Sequence, residues 1–203
     1  MTVVLTDLDR LREVAFQQHG FVTTGQALES NVSHASLSMM VRRGRLERAG
    51  HGLYRVPQVP VTQYDEFQRA VLWTGFPEAC LSHDTALDAW GISDINPNDI
   101  HVTVAAKRRI TREVPQYYVI HKQDLSQEQV TWWEGIPIVT ATEAVEQCIK
   151  SGVQTYLIRQ ALERAPRTGI IPKQELVRLA KLLETRGVSR KRWVGERGLV
   201  HEL

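Results

Sequence analysis

Arg42, Arg43, Arg45, Arg48 and Arg55 crowd one short stretch of the chain, against the single acid Glu47. The stretch carries a charge of +4, whereas all 203 residues together carry +2. A guanidinium is permanently charged and offers fixed donors that fit phosphate oxygens, so this cluster suits the backbone of a polyanion. The segment Ser33–Arg43 runs directly into it. At about 100° per residue, Leu37, Met40 and Val41 share one face of a helix. The opposite face holds Ala35, Met39 and Arg42, flanked by Ser36, Ser38 and Arg43, with no Asp or Glu among them. Small side chains let a helix approach base edges, hydroxyls bond to bases or phosphates, and arginines anchor the backbone. Ser33, Ala35, Ser36 and Met39 are therefore expected nearest base edges. Arg42, Arg43, Arg45, Arg48 and Arg55 are expected on phosphates, and His51 at a turn is expected to probe a neighbouring minor groove. The competing reading is a three-helix packing module used for protein contacts.

The elements that must position these residues are legible around them. Thr6 with Asp9 has the spacing of a capping box, and Leu8, Leu11 and Ala15 follow on one face, up to Gly20. Thr23 with Gln26 opens a short second helix, which Ser30-Asn31 ends. Ser33 caps the third, which Gly44 stops. Two strand-like runs then flank Gly50-His51-Gly52, the pattern of a β-hairpin. Helix, short helix, turn, helix and hairpin make the order of a winged helix-turn-helix. Pro57 to Pro60 reads as a linker. The expected organisation is an N-terminal DNA-binding domain over 1–57, a mixed α+β domain over 61–183 and a basic tail over 184–203. The fold class is therefore α+β.

In the second region, helices are expected at 64–74, 82–91, 140–151, 154–164 and 172–183, with strands at 100–104 and 116–121. Thr140 and Glu143 read as a further capping box. The tail, with Arg186, Arg190, Lys191, Arg192 and Arg197, reads equally as an extended basic arm or as disorder.

The chemistry of catalysis is poorly served. His83 and Asp84 are adjacent on an expected helix and point about 100° apart, so Asp84 is expected to complement the helix N-terminus. The chain lacks a phosphate-binding glycine loop, a nucleophile elbow and a zincin motif. None of the lysines at 107, 122, 150, 173, 181 and 191 follows an acid by two positions, as a metal-dependent nuclease site of the restriction type requires. The seven histidines are scattered, and no metal or cofactor is expected. The two cysteines, Cys80 and Cys148, form no C-x-x-C pair, which suits reduced thiols in a cytoplasm. No apolar run approaches the length of a bilayer span, so the chain reads as a cytoplasmic protein with no enzymatic activity.

The ordered set Val41–Arg48, Gly52–Val56, Leu81–Leu87, the Ile100–Val104 strand with Lys107-Arg108-Arg109 after it, and Gly135–Thr140 resembles the AbiEi-type antitoxins. These are transcriptional regulators of type IV toxin–antitoxin systems in abortive infection and phage defence. The resemblance spans roughly residues 20–150. It implies a winged helix joined to an α+β domain, and repression of the protein's own promoter at inverted repeats, with two copies on one operator. It further implies a functional partner toxin of the nucleotidyltransferase type that need not be touched. Lys107, Arg108 and Arg109 fall where the family's second domain is basic, for a second DNA contact or for neutralisation. A stand-alone regulator without antitoxin activity is the alternative within the same family.

Overall fold

The computed structural model describes the backbone of residues 5–197 and the side chains of residues 5–186. It is a mixed α+β chain of two compact units. Unit 1 comprises the chain through Leu81 with Val102–Leu125 and Trp132–Ile138. Unit 2 comprises Ser82–His101, Ser126–Thr131 and the chain from Val139.

Unit 1 begins with α1 (Asp7–Phe16), whose capping box closes as its sequence implies: the Thr6 hydroxyl accepts the Asp9 N–H, and the Asp9 carboxylate accepts the Thr6 N–H. A three-residue strand follows, β1 (Phe21–Thr23), and then α2 (Thr24–Glu29) with the Thr23/Gln26 box also complete. Asn31 turns the chain at φ +60°, and Val32 is fully buried behind it. α3 (His34–Arg42) starts at Ser33, whose hydroxyl accepts the Ser36 N–H at 3.1 Å, and ends before Gly44 at φ +65°. A left-handed residue there favours glycine and closes the helix. The hairpin β2 (Glu47–Gly50) and β3 (Leu53–Arg55) completes a three-stranded sheet of order β1-β3-β2. Leu11, Ala15, Val22, Leu37, Leu46 and Val56 form the core beneath these elements.

The rest of unit 1 contains α4 (Asp65–Trp73) and most of a five-stranded sheet. In chain order its strands are β4 (Cys80–Leu81), β5 (Ile100–Val104), β6 (Tyr118–Lys122), β7 (Val130–Trp133) and β8 (Ile136–Val139). Their order is β6-β5-β4-β8-β7. The β4/β5 pairing is antiparallel, with Leu81 opposite Val102, and the β4/β8 pairing is parallel, with Leu81 opposite Ile138.

Unit 2 is built on α5 (His83–Ala89), α6 (Ala141–Ser151), α7 (Thr155–Thr168) and α8 (Lys173–Arg197) around Leu87, Val145, Ile149, Ile158 and Leu179. Several details differ from the sequence reading. Ser82 stands at the N-cap of α5, but its hydroxyl meets His83 Nδ1 at 3.1 Å and caps nothing. Thr140 caps α6, yet Glu143 does not return the bond: its carboxylate takes the Gln129 amide at 2.6 Å. α7 runs through Pro166, which sits in the last turn, and stops at Gly169. α8 continues beyond 183 instead of giving way to an extended arm. Its Arg186 donates to the carbonyls of Ile149 (3.1 Å) and Val153 (2.7 Å), holding the helix against the end of α6. Residues 198–203 of the expected tail lie outside the described residues. No described helix is long and apolar enough to cross a membrane.

Candidate nucleic-acid interface

The position of α3 is set from two sides. Leu37 (1% exposed) and Met40 are buried on its inner face. On its flank, Arg10 of α1 donates to the carbonyls of Ser30 (3.2 Å) and Asn31 (3.4 Å), pinning the turn that launches the helix. What remains outward is a stripe of Ala35, Ser38, Met39 and Arg42, all exposed, with the i, i+3, i+4, i+7 spacing of a single helix face. His34 is exposed at its start, and Arg43 and Arg45 are exposed at its end.

Ser36 belongs elsewhere. Its hydroxyl donates to Asp7 of α1 at 2.6 Å, so it joins two helices and does not lead the outward face. Ser38 takes that place. The substitution was readable: Ser38 lies three residues after Ala35 and four before Arg42, whereas Ser36 is turned about 100° from Ala35. Ser33 is exposed, but its hydroxyl is engaged as the cap of α3.

The hairpin is fixed around its turn. At the tip, the Gly52 carbonyl accepts the Thr24 N–H at 2.8 Å, and a Cβ at Gly52 would lie 3.2 Å from the Thr24 hydroxyl at φ +64°. A side chain there would be strained and crowded. The tip is thereby seated on the start of α2. On the β2 side of the turn, Arg69 of α4 donates to the Ala49 carbonyl at 3.2 Å, and Gly50 packs towards Trp73. A bulge between Arg48 and Gly50 bends β2.

A groove of about 790 Å³ gathers the N-terminal end of α3, the hairpin and the start of α2: His34, Arg48 and His51 line it with Thr23 and Thr24. Arg42, Arg43 and Arg45 stand at the other end of α3, one helix length away. The five arginines therefore do not form one cluster. Arg55 is separated from the rest. Its side chain is 15% exposed, and its guanidinium is held by Asp65 at 3.3 Å and by the Val59 carbonyl at 3.1 Å. Asp65 in turn accepts the Thr62 N–H and hydroxyl, each at 2.8 Å. The expected phosphate contact at Arg55 is instead a tie between β3 and α4.

Lys107 and Arg109 are exposed. Arg108 is engaged with Glu78 through bonds of 2.5 and 2.9 Å and stacks over Phe76 at 4.7 Å. The Arg108 guanidinium holds the Glu78 carboxyl below its usual range. The basic residue of this stretch that reaches the groove is Arg112. It lies over the Trp73 ring at 4.4 Å and donates to the Trp73 carbonyl. Sequence spacing gave no sign of that placement, because Arg112 sits in a loop with no periodicity.

His83 and Asp84 do not make a dyad. The His83 N–H donates to Gln147 at 3.0 Å, and Asp84 Oδ1 accepts the Cys148 thiol at 3.8 Å. Burial, reinforced by the Asp84 charge, pushes the Cys148 thiol up, which keeps it protonated and unreactive at neutral pH.

Residues 9–57, from α1 to just past β3, match the model of a family described as transcriptional regulator, AbiEi antitoxin. The resemblance read from the sequence holds over that span. No curated protein matches the chain. Among solved structures, the crystal structure of the Rv2827c protein from Mycobacterium tuberculosis is similar in fold, with a TM-score of 0.53 at 13% identity. The match covers 92% of this chain and 79% of that one.

Proposed function

We propose that this chain is a DNA-binding transcriptional regulator that represses its own operon, acting as the antitoxin of a type IV abortive-infection system in the cytoplasm. The region through Val56 serves as a winged helix-turn-helix, with α3 in a major groove and the β2–β3 hairpin as the wing. Ala35, Ser38 and Met39 face base edges. Arg42, Arg43, Arg45 and Arg48 neutralise phosphates, and His51 lies at the wing tip over a minor groove. Lys107 and Arg109 supply a second basic contact. Two copies occupy an inverted repeat. The functional partner is a nucleotidyltransferase-type toxin, countered without obligatory contact, and the chain needs no metal, cofactor or catalytic residue of its own.

The observation that carries this reading is the acid-free outward stripe of α3 running into Arg43 and Arg45, inside the span matched by the regulator family. Hydroxyl-radical footprinting on the DNA upstream of the gene is the test. Protection of two half-sites about one helical turn apart, or a multiple of it, is the expected result. Uniform cleavage at saturating protein would overturn the proposal. A stand-alone regulator is the second reading, favoured by the family match ending at residue 57. It predicts that co-expression with the neighbouring toxin leaves the toxin active.

A further inference from the structure

The groove of about 790 Å³ lies wholly within unit 1. His34 at the start of α3 lines it, as do Arg48 and His51 of the hairpin and Arg112 from the loop after β5. Glu29 is the one acid of that lining.

Arg112 differs from the other arginines that the fold holds. Arg55 and Arg108 meet carboxylates at 3.3 and 2.5 Å. Arg112 is half-buried, and no described carboxylate pairs with it. It lies over the Trp73 ring at 4.4 Å and gives one N–H to the Trp73 carbonyl. A guanidinium has further donors on its two terminal nitrogens. Nη1 donates to none of the described residues and, unlike the enclosed Nε, is not shut off from solvent. Trp73 therefore orients the side chain while its charge stays uncompensated. A partly desolvated cation without a counter-ion is costly, and a guanidinium already held in place suits a phosphate.

A duplex that offers its major groove to α3 and its minor groove to the hairpin turn must pass one phosphate strand between those two elements. That strand is the wall that separates the two grooves. We propose that Arg112 binds a phosphate of this strand where it crosses the groove between His34 and His51. The loop after β5 thereby extends the DNA interface beyond the family-matched residues 9–57. The inference rests on the DNA-binding reading and adds to it a contact that neither α3 nor the hairpin supplies.

Fluorescence anisotropy of the full chain on its upstream duplex, over a salt series, tests it with Arg112→Gln and Arg112→Lys. Circular dichroism melts check that both variants fold. Arg112→Gln lowers affinity about tenfold and reduces the slope of log affinity on log salt by about 0.9, the value for one phosphate. Arg112→Lys keeps the charge and restores the slope. A merely structural role would lower the melting temperature and leave the slope of the folded protein unchanged. A second measurement locates the contact: single methylphosphonates, placed in turn along one strand, each remove one phosphate charge. At one position the change weakens the unaltered chain severalfold and leaves Arg112→Gln unaffected. Three results would overturn the proposal while the regulator reading stands: an unchanged slope in Arg112→Gln, a slope that Arg112→Lys does not restore, or equal sensitivity of the two proteins at every methylphosphonate position. Failure of the unaltered chain to bind any duplex at low salt would overturn both.

Discussion

Two sets of arginines divide unit 1. At the outer end of α3 and along β2, Arg42, Arg43, Arg45 and Arg48 are exposed. Among the described residues, none of these four makes an ion pair or a side-chain hydrogen bond. At the base of the hairpin and beyond it, Arg55, Arg69, Arg108 and Arg112 are each held by a carboxylate, a carbonyl or an aromatic face. The same residue type therefore does two jobs. Where the fold supplies an anion or a carbonyl, the guanidinium ties elements together. Where it supplies none, like charges are left facing solvent, and that arrangement lowers its energy by meeting an external polyanion.

Substitutions in the two sets should separate these jobs. The largest effect is expected at Arg55→Ala. Removing it leaves Asp65 buried beside an empty site, and breaking such a pair costs about 3 kcal/mol of stability. Chemical denaturation should show that loss, while the salt dependence of DNA binding by the folded fraction stays as it was. A weaker fold with a flattened salt slope would place Arg55 in the outer set after all. Next comes Arg42→Ala with Arg43→Ala. The account expects affinity for all duplexes to fall by about 1–3 kcal/mol, and the slope of log affinity on log salt to shrink by roughly two. The melting temperature should hardly move. A fall in stability with unchanged DNA affinity would merge the two sets.

The smallest effect is expected at Glu78. Its hydrogen bonds to Arg108 lower its pKa in the folded chain, so its contribution is present above the ordinary carboxylate range and is lost as pH falls. Because the pair is about one-third exposed, the contribution is under about 1 kcal/mol. Glu78→Gln should lose less stability than the unaltered chain between pH 7 and pH 3. Parallel melting curves over that range would remove Arg108 from the held set.

The division also explains what could and could not be read in the sequence. The capping residues Thr6, Thr23 and Ser33 announced their helices because a cap is a local bond, made within three residues. The hairpin and the apolar faces of α1 and α3 were legible for the same reason. β1 was not, since Phe21–Thr23 is three residues long and becomes a strand only by pairing with β3. β4, with two residues, has no pattern of its own either. Partners distant in sequence decide the remaining discrepancies. Asp7 claims Ser36 across 29 positions, Asp65 claims Arg55, and Gln129 claims Glu143. Composition alone marked the arginines of 42–55 as one group. Only the tertiary contacts show that Arg55 is a strut and the others are free.

The most direct test of the regulator reading is a fluorescence anisotropy titration of the purified chain against its own upstream duplex and an unrelated duplex, each at two salt concentrations. The account predicts tighter binding to the upstream duplex, weakening steeply with salt at about 0.9 in slope per phosphate engaged. Failure to bind either duplex at low salt would contradict it.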